Sequence, residues 1–135
     1  KKIEGDGKTP IGKFSLGDLY YRKDKKYIPK TNLKIVEIKK NMSWCDDINS
    51  KDYYNKLVSL NPNIKGEKLF RRDYKYDFFI PIKYNWRNPT PGKGSAIFIH
   101  LTKNFKSTAG CIAMAEKDFL ILAKLIKKNT VIKIL

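Results

Sequence analysis

Short runs of apolar, β-branched and aromatic residues alternate with turn-forming clusters along most of the chain. Glycine, proline and asparagine recur between these runs, which is typical of short strands joined by tight turns. Because proline donates no hydrogen bond to a sheet, Pro81 predicts an edge or a break in the apolar run at residues 76–84. The pattern predicts strands at residues 13–21, 33–38, 76–84, 95–101 and 130–135.

One segment, residues 115–128, has the periodicity of a helix instead. Acidic residues in its first turn and lysines in its last turn complement the helix dipole. A weaker helical pattern covers residues 51–59. The chain is therefore predicted to be mainly β with one C-terminal helix, rather than an alternating α/β protein. The apolar face of that helix carries Phe119, Leu122, Ala123 and Ile126.

Length and composition predict one domain over residues 1–135. With 135 residues and 41% hydrophobic content, the chain is large enough to bury about two thirds of its unfolded surface. Spanning a bilayer takes about 20 apolar residues, and no run approaches that length, so we expect no transmembrane segment in this sequence. The chain starts at Lys1 rather than methionine, which is compatible with an N-terminal segment that precedes it.

The charge balance is strongly basic, with 29 basic and 13 acidic residues and a formal net charge of +16. Such a charge suits nucleic acid, an anionic membrane or an acidic wall polymer. Lysine supplies 25 of the basic residues and arginine four. Since arginine is the preferred side chain for phosphates and base edges, we expect no nucleic-acid partner.

Two cysteines, Cys45 and Cys111, lie 66 positions apart. They form neither a disulfide framework nor a Cys-x-x-Cys motif. A zinc site would need both of them together with His100 and an acid such as Asp46, and these spacings match no standard zinc motif. The sequence therefore predicts no metal site.

Two glycine-rich stretches each match only part of a known motif, the first a phosphate-binding loop and the second a serine nucleophile elbow. Residues 5–9 ("GDGKT") lack the first glycine of a phosphate-binding loop, and Pro10 disfavours the helix that must follow. Ser95 in "GKGSA" lacks the second glycine of a serine nucleophile elbow. We interpret the first stretch as a turn and Ser95 as the end of a loop that enters a strand.

The stretch "WCDD" brings an aromatic ring, a thiol and two carboxylates into four positions. In one interpretation Trp44 belongs to the core and Asp46 binds backbone amides in a tight turn. In the other, Trp44 or Asp46 lies beside a substrate. The sequence leaves both open.

His100 and Cys111 are the best candidates for catalysis. His100 ends the apolar run "AIFIH", and Cys111 follows in "STAGCIAM". A paired histidine lowers the pKa of a thiol or accepts its proton, which makes the cysteine a nucleophile. Gly110 lets a substrate approach, and backbone N–H groups of Gly110 and Cys111 can bind an oxyanion.

Several stretches together resemble the YkuD-type L,D-transpeptidases of bacterial peptidoglycan. "EGDGKTPIGKF" is similar to the family's opening G-x-x-T-P-x-G-x-F element, and "GSAIFIH" followed by "STAGCIAM" resembles its catalytic His and (S/T)-x-G-C signature. The last 21 residues resemble its closing helix and strand. "WCDD", "LFRRDYKYD" and "PGKGSAIFIH" resemble a proteobacterial subgroup with TAGC in place of SHGC.

The resemblance implies a compact β-sandwich or barrel-like domain that uses no cofactor. His100 would activate Cys111 to attack a carbonyl that follows an L-centre in a donor stem peptide. A D-amino acid would leave, and an amine of an acceptor stem peptide would resolve the thioester into a cross-link. The implied location is the periplasm or cell envelope, the implied state a monomer, and carbapenems are expected to acylate the cysteine.

Two departures from the family pattern concern substrate binding. Many members carry His where this chain has Ala109 and Arg where it has Ala113. These changes leave open how the donor is held and which stem-peptide bond is attacked. For Arg71 a structural salt bridge is the alternative to a substrate contact. The candidate substrate-binding residues are Thr108, Ala109, Trp44, Asp46, Arg71 and Ser95.

Other functions remain open at this point. An L,D-carboxypeptidase or wall-peptide amidase would use the same cysteine, with water in place of the amine. A non-catalytic basic module that binds an anionic polymer would need neither His100 nor Cys111. In an oxidising compartment, a disulfide between Cys45 and Cys111 would silence the enzyme.

Overall fold

The computed structural model describes residues 2–104, 108 and 110–135. Within this part of the chain the backbone forms short strands and one helix, so the predicted mainly β class with a C-terminal helix is confirmed. The elements in chain order are β1 (Gly12–Ser15), β2 (Leu19–Tyr21), β3 (Ile35–Glu37), β4 (Met42–Cys45), β5 (Leu57–Ser59), β6 (Gly66–Lys68), β7 (Phe78–Pro81), β8 (Phe98–Leu101), β9 (Ile112–Met114), α1 (Glu116–Leu125) and β10 (Val131–Ile134).

The strands of the described residues belong to three sheets. The largest has the order β3-β2-β7-β8-β9, in which both outer pairs are parallel and the inner pairs antiparallel. A second sheet has the antiparallel order β5-β4-β6, and β1 pairs with β10 near the two chain ends. Strand β8 is therefore interior to the largest sheet, between β7 and β9.

Two hydrophobic clusters cover opposite faces of the largest sheet. The helix-side core contains Ile99 of β8 together with Phe119 and Ala123 of α1. The aromatic core contains Phe98 of β8 and Trp44 of β4, so it lies between the largest sheet and the second one. Because successive side chains of a strand point to opposite faces, β8 contributes to both cores.

Helix α1 is shorter than the predicted segment 115–128. It ends at Leu125, and Ile126 is already extended, with ψ 137°, although its N–H still bonds to the Leu122 carbonyl. Both Phe119 and Ala123 are fully buried, as the predicted apolar face requires. The early end leaves the chain free to start β10 at Val131.

Several predicted strands differ from the observed ones. The run 13–21 divides into β1 and β2, which belong to different sheets. Pro81 marks a break and not an edge: it is the last residue of the interior strand β7, which ends inside the predicted run, and its carbonyl accepts a hydrogen bond from Gly17. The weak helix at 51–59 is wrong, because that segment consists of turns followed by β5.

We predict that Phe119→Ala lowers the free energy of unfolding by about 3–5 kcal/mol, because it opens a cavity in the helix-side core. The Phe119 ring is fully buried and stacks on Phe78 at a centroid distance of 5.7 Å. Urea denaturation measures the change. Ile121→Ala on the same helix is the control, since Ile121 is 50% exposed; an equal loss in both variants would contradict the prediction.

Candidate active site

Cys111 lies where the chain enters β9, beside the start of β8. Its Sγ accepts a hydrogen bond from the Phe98 N–H at 3.4 Å and donates one to the Ala96 carbonyl at 3.3 Å. The side chain is half-buried and packs against the aromatic core. The thiol is thus held by the backbone of the segment that leads into β8.

Ala96 itself has an unusual backbone, which a second buried residue holds in place. Its φ of 52° is in the left-handed region, where residues other than glycine are uncommon. The Ala96 N–H donates to Asn55 Oδ1 at 3.0 Å, and the same oxygen accepts the Trp44 indole N–H at 2.9 Å. Asn55 therefore holds Ala96 in place, and the Ala96 carbonyl accepts the hydrogen bond of the Cys111 thiol.

His100 lies in β8 and is only 4% exposed. Its Nδ1 is 2.9 Å from the Leu101 carbonyl oxygen, and a carbonyl only accepts, so the proton of the neutral ring is assigned to Nδ1. The other nitrogen, Nε2, is buried and finds no hydrogen-bond partner among the described residues. An unprotonated, unpaired Nε2 is the atom that a general base requires.

The register of β8 and β9 places the two side chains on one face of the sheet. His100 is paired with Ala113, and Ile99 with Ile112, so Cys111 precedes this pairing by one position, beside Phe98. Because side chains alternate, Phe98 and His100 point to the same face, and Cys111 is a diagonal neighbour of His100 across the strand pair. The register therefore places the two predicted residues on one face of the sheet, although the thiol donates to the Ala96 carbonyl and not to His100 Nε2.

Burial keeps both groups neutral at pH 7. Desolvation raises the pKa of the Cys111 thiol to about 11; the Glu67 charge acts in the same direction, against the Phe98 N–H and the charge of Lys75. Desolvation also lowers the pKa of His100, although the Leu101 hydrogen bond opposes the shift. A neutral thiol and a neutral imidazole are therefore the resting state of the two side chains at pH 7.

Tyr76 forms one wall of this site. Its ring meets the His100 ring edge to face, with centroids 5.8 Å apart, and the Phe98 ring in the same way at 5.6 Å. The Tyr76 hydroxyl donates to Glu67 Oε1. Desolvation, with the Glu67 charge adding to it, raises the pKa of Tyr76 well above its usual range, so the hydroxyl stays protonated and can donate.

The loop before Cys111 is closely packed at Gly110. Gly110 has φ 110°, and a Cβ at this position would lie 2.6 Å from the Lys8 carbonyl oxygen, so only glycine fits. Thr108 Oγ1 donates to the Cys111 carbonyl at 2.6 Å, which fixes the turn that carries Cys111. Ala109, a predicted substrate contact, lies outside the described residues.

A family model described as the L,D-transpeptidase catalytic domain, YkuD, matches residues 1–134. The chain belongs to the YkuD family. Membership implies an enzyme of the L,D-transpeptidase kind that acts on peptidoglycan, and with it a location in the cell envelope. Comparisons with curated proteins and with solved structures gave no match.

Two candidate substrate contacts of this YkuD domain are buried instead. Trp44 is 2% exposed, packs on Phe98 at 5.2 Å and so belongs to the core, as the first interpretation of "WCDD" states. Ser95 is 7% exposed and donates to Glu4 Oε1 at 2.5 Å, which ties the N-terminal loop to the start of the sheet. Neither side chain is free to bind a substrate.

For Asp46 the surroundings differ from the prediction, whereas Arg71 forms the structural salt bridge named above as the alternative to a substrate contact. The backbone amides of the "WCDD" turn bind Asp47, not Asp46: Asp47 accepts from the N–H groups of Asn49 and Lys65. Asp46 Oδ1 is buried without a hydrogen-bond partner in the described part of the chain, and burial raises its pKa. Arg71 forms the structural salt bridge with Asp73, at 2.6 Å.

The residues that sequence reasoning missed are Asn55, Tyr76 and Glu67. Tyr76 lies within the quoted "LFRRDYKYD" stretch, but that stretch attracted interest for its arginines. Glu67 and Asn55 carry no motif: Glu67 is opposite Trp44 in the β4–β6 pair, and Asn55 binds Trp44 and Ala96 from a turn. Only the tertiary contacts could have identified them.

No metal centre or disulfide is present in the described residues. No group of three His, Cys, Asp or Glu side chains that could hold a metal ion occurs among them, and no helix there is long and apolar enough to cross a membrane. Both cysteines are free. Cys45 is fully buried, and alternation along β4 directs it away from the face that carries Trp44.

We predict that alkylation of Cys111 by iodoacetamide accelerates about tenfold per pH unit between pH 7 and pH 10, because only the thiolate reacts and the thiol pKa is raised. Intact mass spectrometry over time measures the rate. The Cys111→Ala variant controls for Cys45, which is buried and expected to stay unmodified. A rate that reaches its plateau below pH 8 would instead indicate a preformed thiolate.

Proposed function

We propose that this YkuD domain is a cysteine L,D-transpeptidase that cross-links peptidoglycan stem peptides through a thioester on Cys111, with His100 as the base. The observation that carries the proposal is the unpaired Nε2 of His100, on the same sheet face as the thiol and in a tautomer fixed by Leu101. We further propose that the protein acts in the periplasm as a monomer.

The acylation step follows from this geometry. Cys111 Sγ attacks the carbonyl carbon after an L-centre of the donor, and its proton moves to His100 Nε2. Backbone N–H groups of Gly110 and Cys111 stabilise the tetrahedral oxyanion, an interaction typically worth about 3 kcal/mol. The intermediate collapses, the D-amino acid leaves with the proton held by His100, and the acyl group remains on sulfur.

The resolving step reuses the same base. An acceptor amine attacks the thioester carbonyl and gives one proton to His100, which passes it to the departing sulfur. An amide cross-link forms and the free thiol returns. The net charge of +16 suits this substrate, since stem peptides and wall polymers carry carboxylates that lysines attract over about 10 Å at moderate salt.

Incubation with purified stem peptides tests the proposal. The wild-type protein should form cross-linked dimers, Cys111→Ala none, and His100→Gln dimers at a rate about 10²- to 10⁴-fold lower, since the general base is lost. Mass spectrometry of the products measures this. Cys45→Ala removes the other thiol and should keep the activity.

Two outcomes would contradict the proposal. If only hydrolysed monomers form, the protein is a carboxypeptidase or amidase. If no product forms and Cys111→Ala binds wall polymer as the wild type does, the protein is a non-catalytic binding module.

A carbapenem provides a second test of the nucleophile. We expect the β-lactam ring to open on Cys111 Sγ and to leave a covalent adduct, because the ring carbonyl takes the place of the donor carbonyl. Intact mass should rise by one carbapenem in the wild type and in Cys45→Ala, but not in Cys111→Ala. An adduct retained in Cys111→Ala would contradict the assignment.

A further inference from the structure

Only one of the two carboxylate oxygens of Glu67 accepts a hydrogen bond from the described residues. In strand β6 it is paired with Trp44, and its Oε1 accepts the hydroxyl hydrogen bond of Tyr76. Oε2 accepts no hydrogen bond from the described residues and is not a buried atom, and the side chain is 27% exposed. A carboxylate in this state has one oxygen fixed by the protein and the other available to a ligand.

Tyr76 connects this carboxylate to the catalytic residues. Its hydroxyl donates a hydrogen bond to Glu67, and its ring contacts the rings of His100 and Phe98. The backbone N–H of Phe98 in turn binds the Cys111 thiol. The pKa of the Cys111 thiol is raised in part by the Glu67 charge, so the carboxylate acts electrostatically at the sulfur. Tyr76 thus contacts two residues that each have an acceptor atom without a partner in the described part of the chain: Oε2 of Glu67 and Nε2 of His100.

The cations nearest to Glu67 do not fully neutralise it. Lys75 Nζ lies 3.9 Å from Glu67 Oε1, at the limit of an ion pair, and its side chain is 33% exposed. Arg71 is bound to Asp73 through two hydrogen bonds. The negative charge beside the thiol therefore disfavours anionic groups and attracts an ammonium group.

We propose that Glu67 binds the ammonium group of the acceptor and positions the amine for attack on the Cys111 thioester. This inference rests on the proposed function. The ammonium loses one proton to solvent, and the resulting amine attacks the carbonyl carbon. It then gives a second proton to His100 Nε2, the carbon–sulfur bond breaks, and that proton returns to Sγ. Water needs no such site, so Glu67 favours cross-linking over hydrolysis.

The variant Glu67→Gln tests this role with little change of shape, since the amide oxygen still accepts the Tyr76 hydrogen bond. With a stem-peptide donor and an amine-bearing stem-peptide acceptor, we expect the ratio of cross-linked to hydrolysed product to fall about tenfold, as for the loss of a hydrogen bond to a charged group. The rate at which the donor acylates Cys111 should not fall, because removal of the Glu67 charge takes away one cause of the raised thiol pKa. Product ratios and intact mass of the acyl-enzyme measure the two quantities.

Hydroxylamine is the matched acceptor, because it is uncharged at neutral pH and also cleaves thioesters. Its reaction with the acyl-enzyme should be equal in wild type and Glu67→Gln. Glu116→Gln is the matched variant: it removes one negative charge on α1, where Glu116 pairs with Lys26, and should keep the wild-type ratio.

Three outcomes would overturn the inference. An unchanged product ratio in Glu67→Gln would show that the carboxylate does not bind the acceptor. Equal losses with hydroxylamine and with the stem-peptide amine, or a parallel loss of acylation, would show a structural role through Tyr76. Absence of any acyl-enzyme in the wild type would instead refute the proposed function, and the inference with it.

Discussion

The parallel pairing of β8 with β9 is the constraint on which the site depends. Strand β8 is interior to the largest sheet and contributes side chains to both cores, so its register cannot slip by one residue without moving His100 to the other face of the sheet. Strand β9 inherits this register, and with it Cys111 is fixed beside Phe98. The relative position of His100 and Cys111 thus depends on the packing of large apolar side chains in the two cores.

Much of the fold could be predicted from the sequence, because its strands and helix have the periodicity that burial on one or two faces requires. The helix and the runs around β3, β7, β8 and β10 were readable in this way. The segments β4, β5, β6 and β9 were not, since none of them lies in an apolar run long enough to distinguish a strand from a loop. Local pattern likewise suggested a helix at 51–59, where pairing of β5 with β4 overrides propensity.

At the candidate site, too, the sequence identified some features and could not identify others. His100 and Cys111 were identified by residue type and resemblance, but their electrostatic state was not, because desolvation depends on how deeply the fold buries them. The sequence presented Trp44 and Ser95 as possible substrate contacts, and only the structure shows that both side chains are buried. Glu67 stayed hidden for the opposite reason: its neighbours come from other strands, and no local motif records a cross-strand contact.

The closing of the chain's two ends has a consequence for how the protein matures. Gly12 of β1 pairs with Ile134 of β10, and the Lys8 carbonyl packs against Gly110 of the nucleophile loop. Contacts between residues so distant in sequence form late in folding, because closing long loops costs entropy before the contacts repay it. The surroundings of Cys111 are therefore completed late in folding, after residues far apart in the sequence have met.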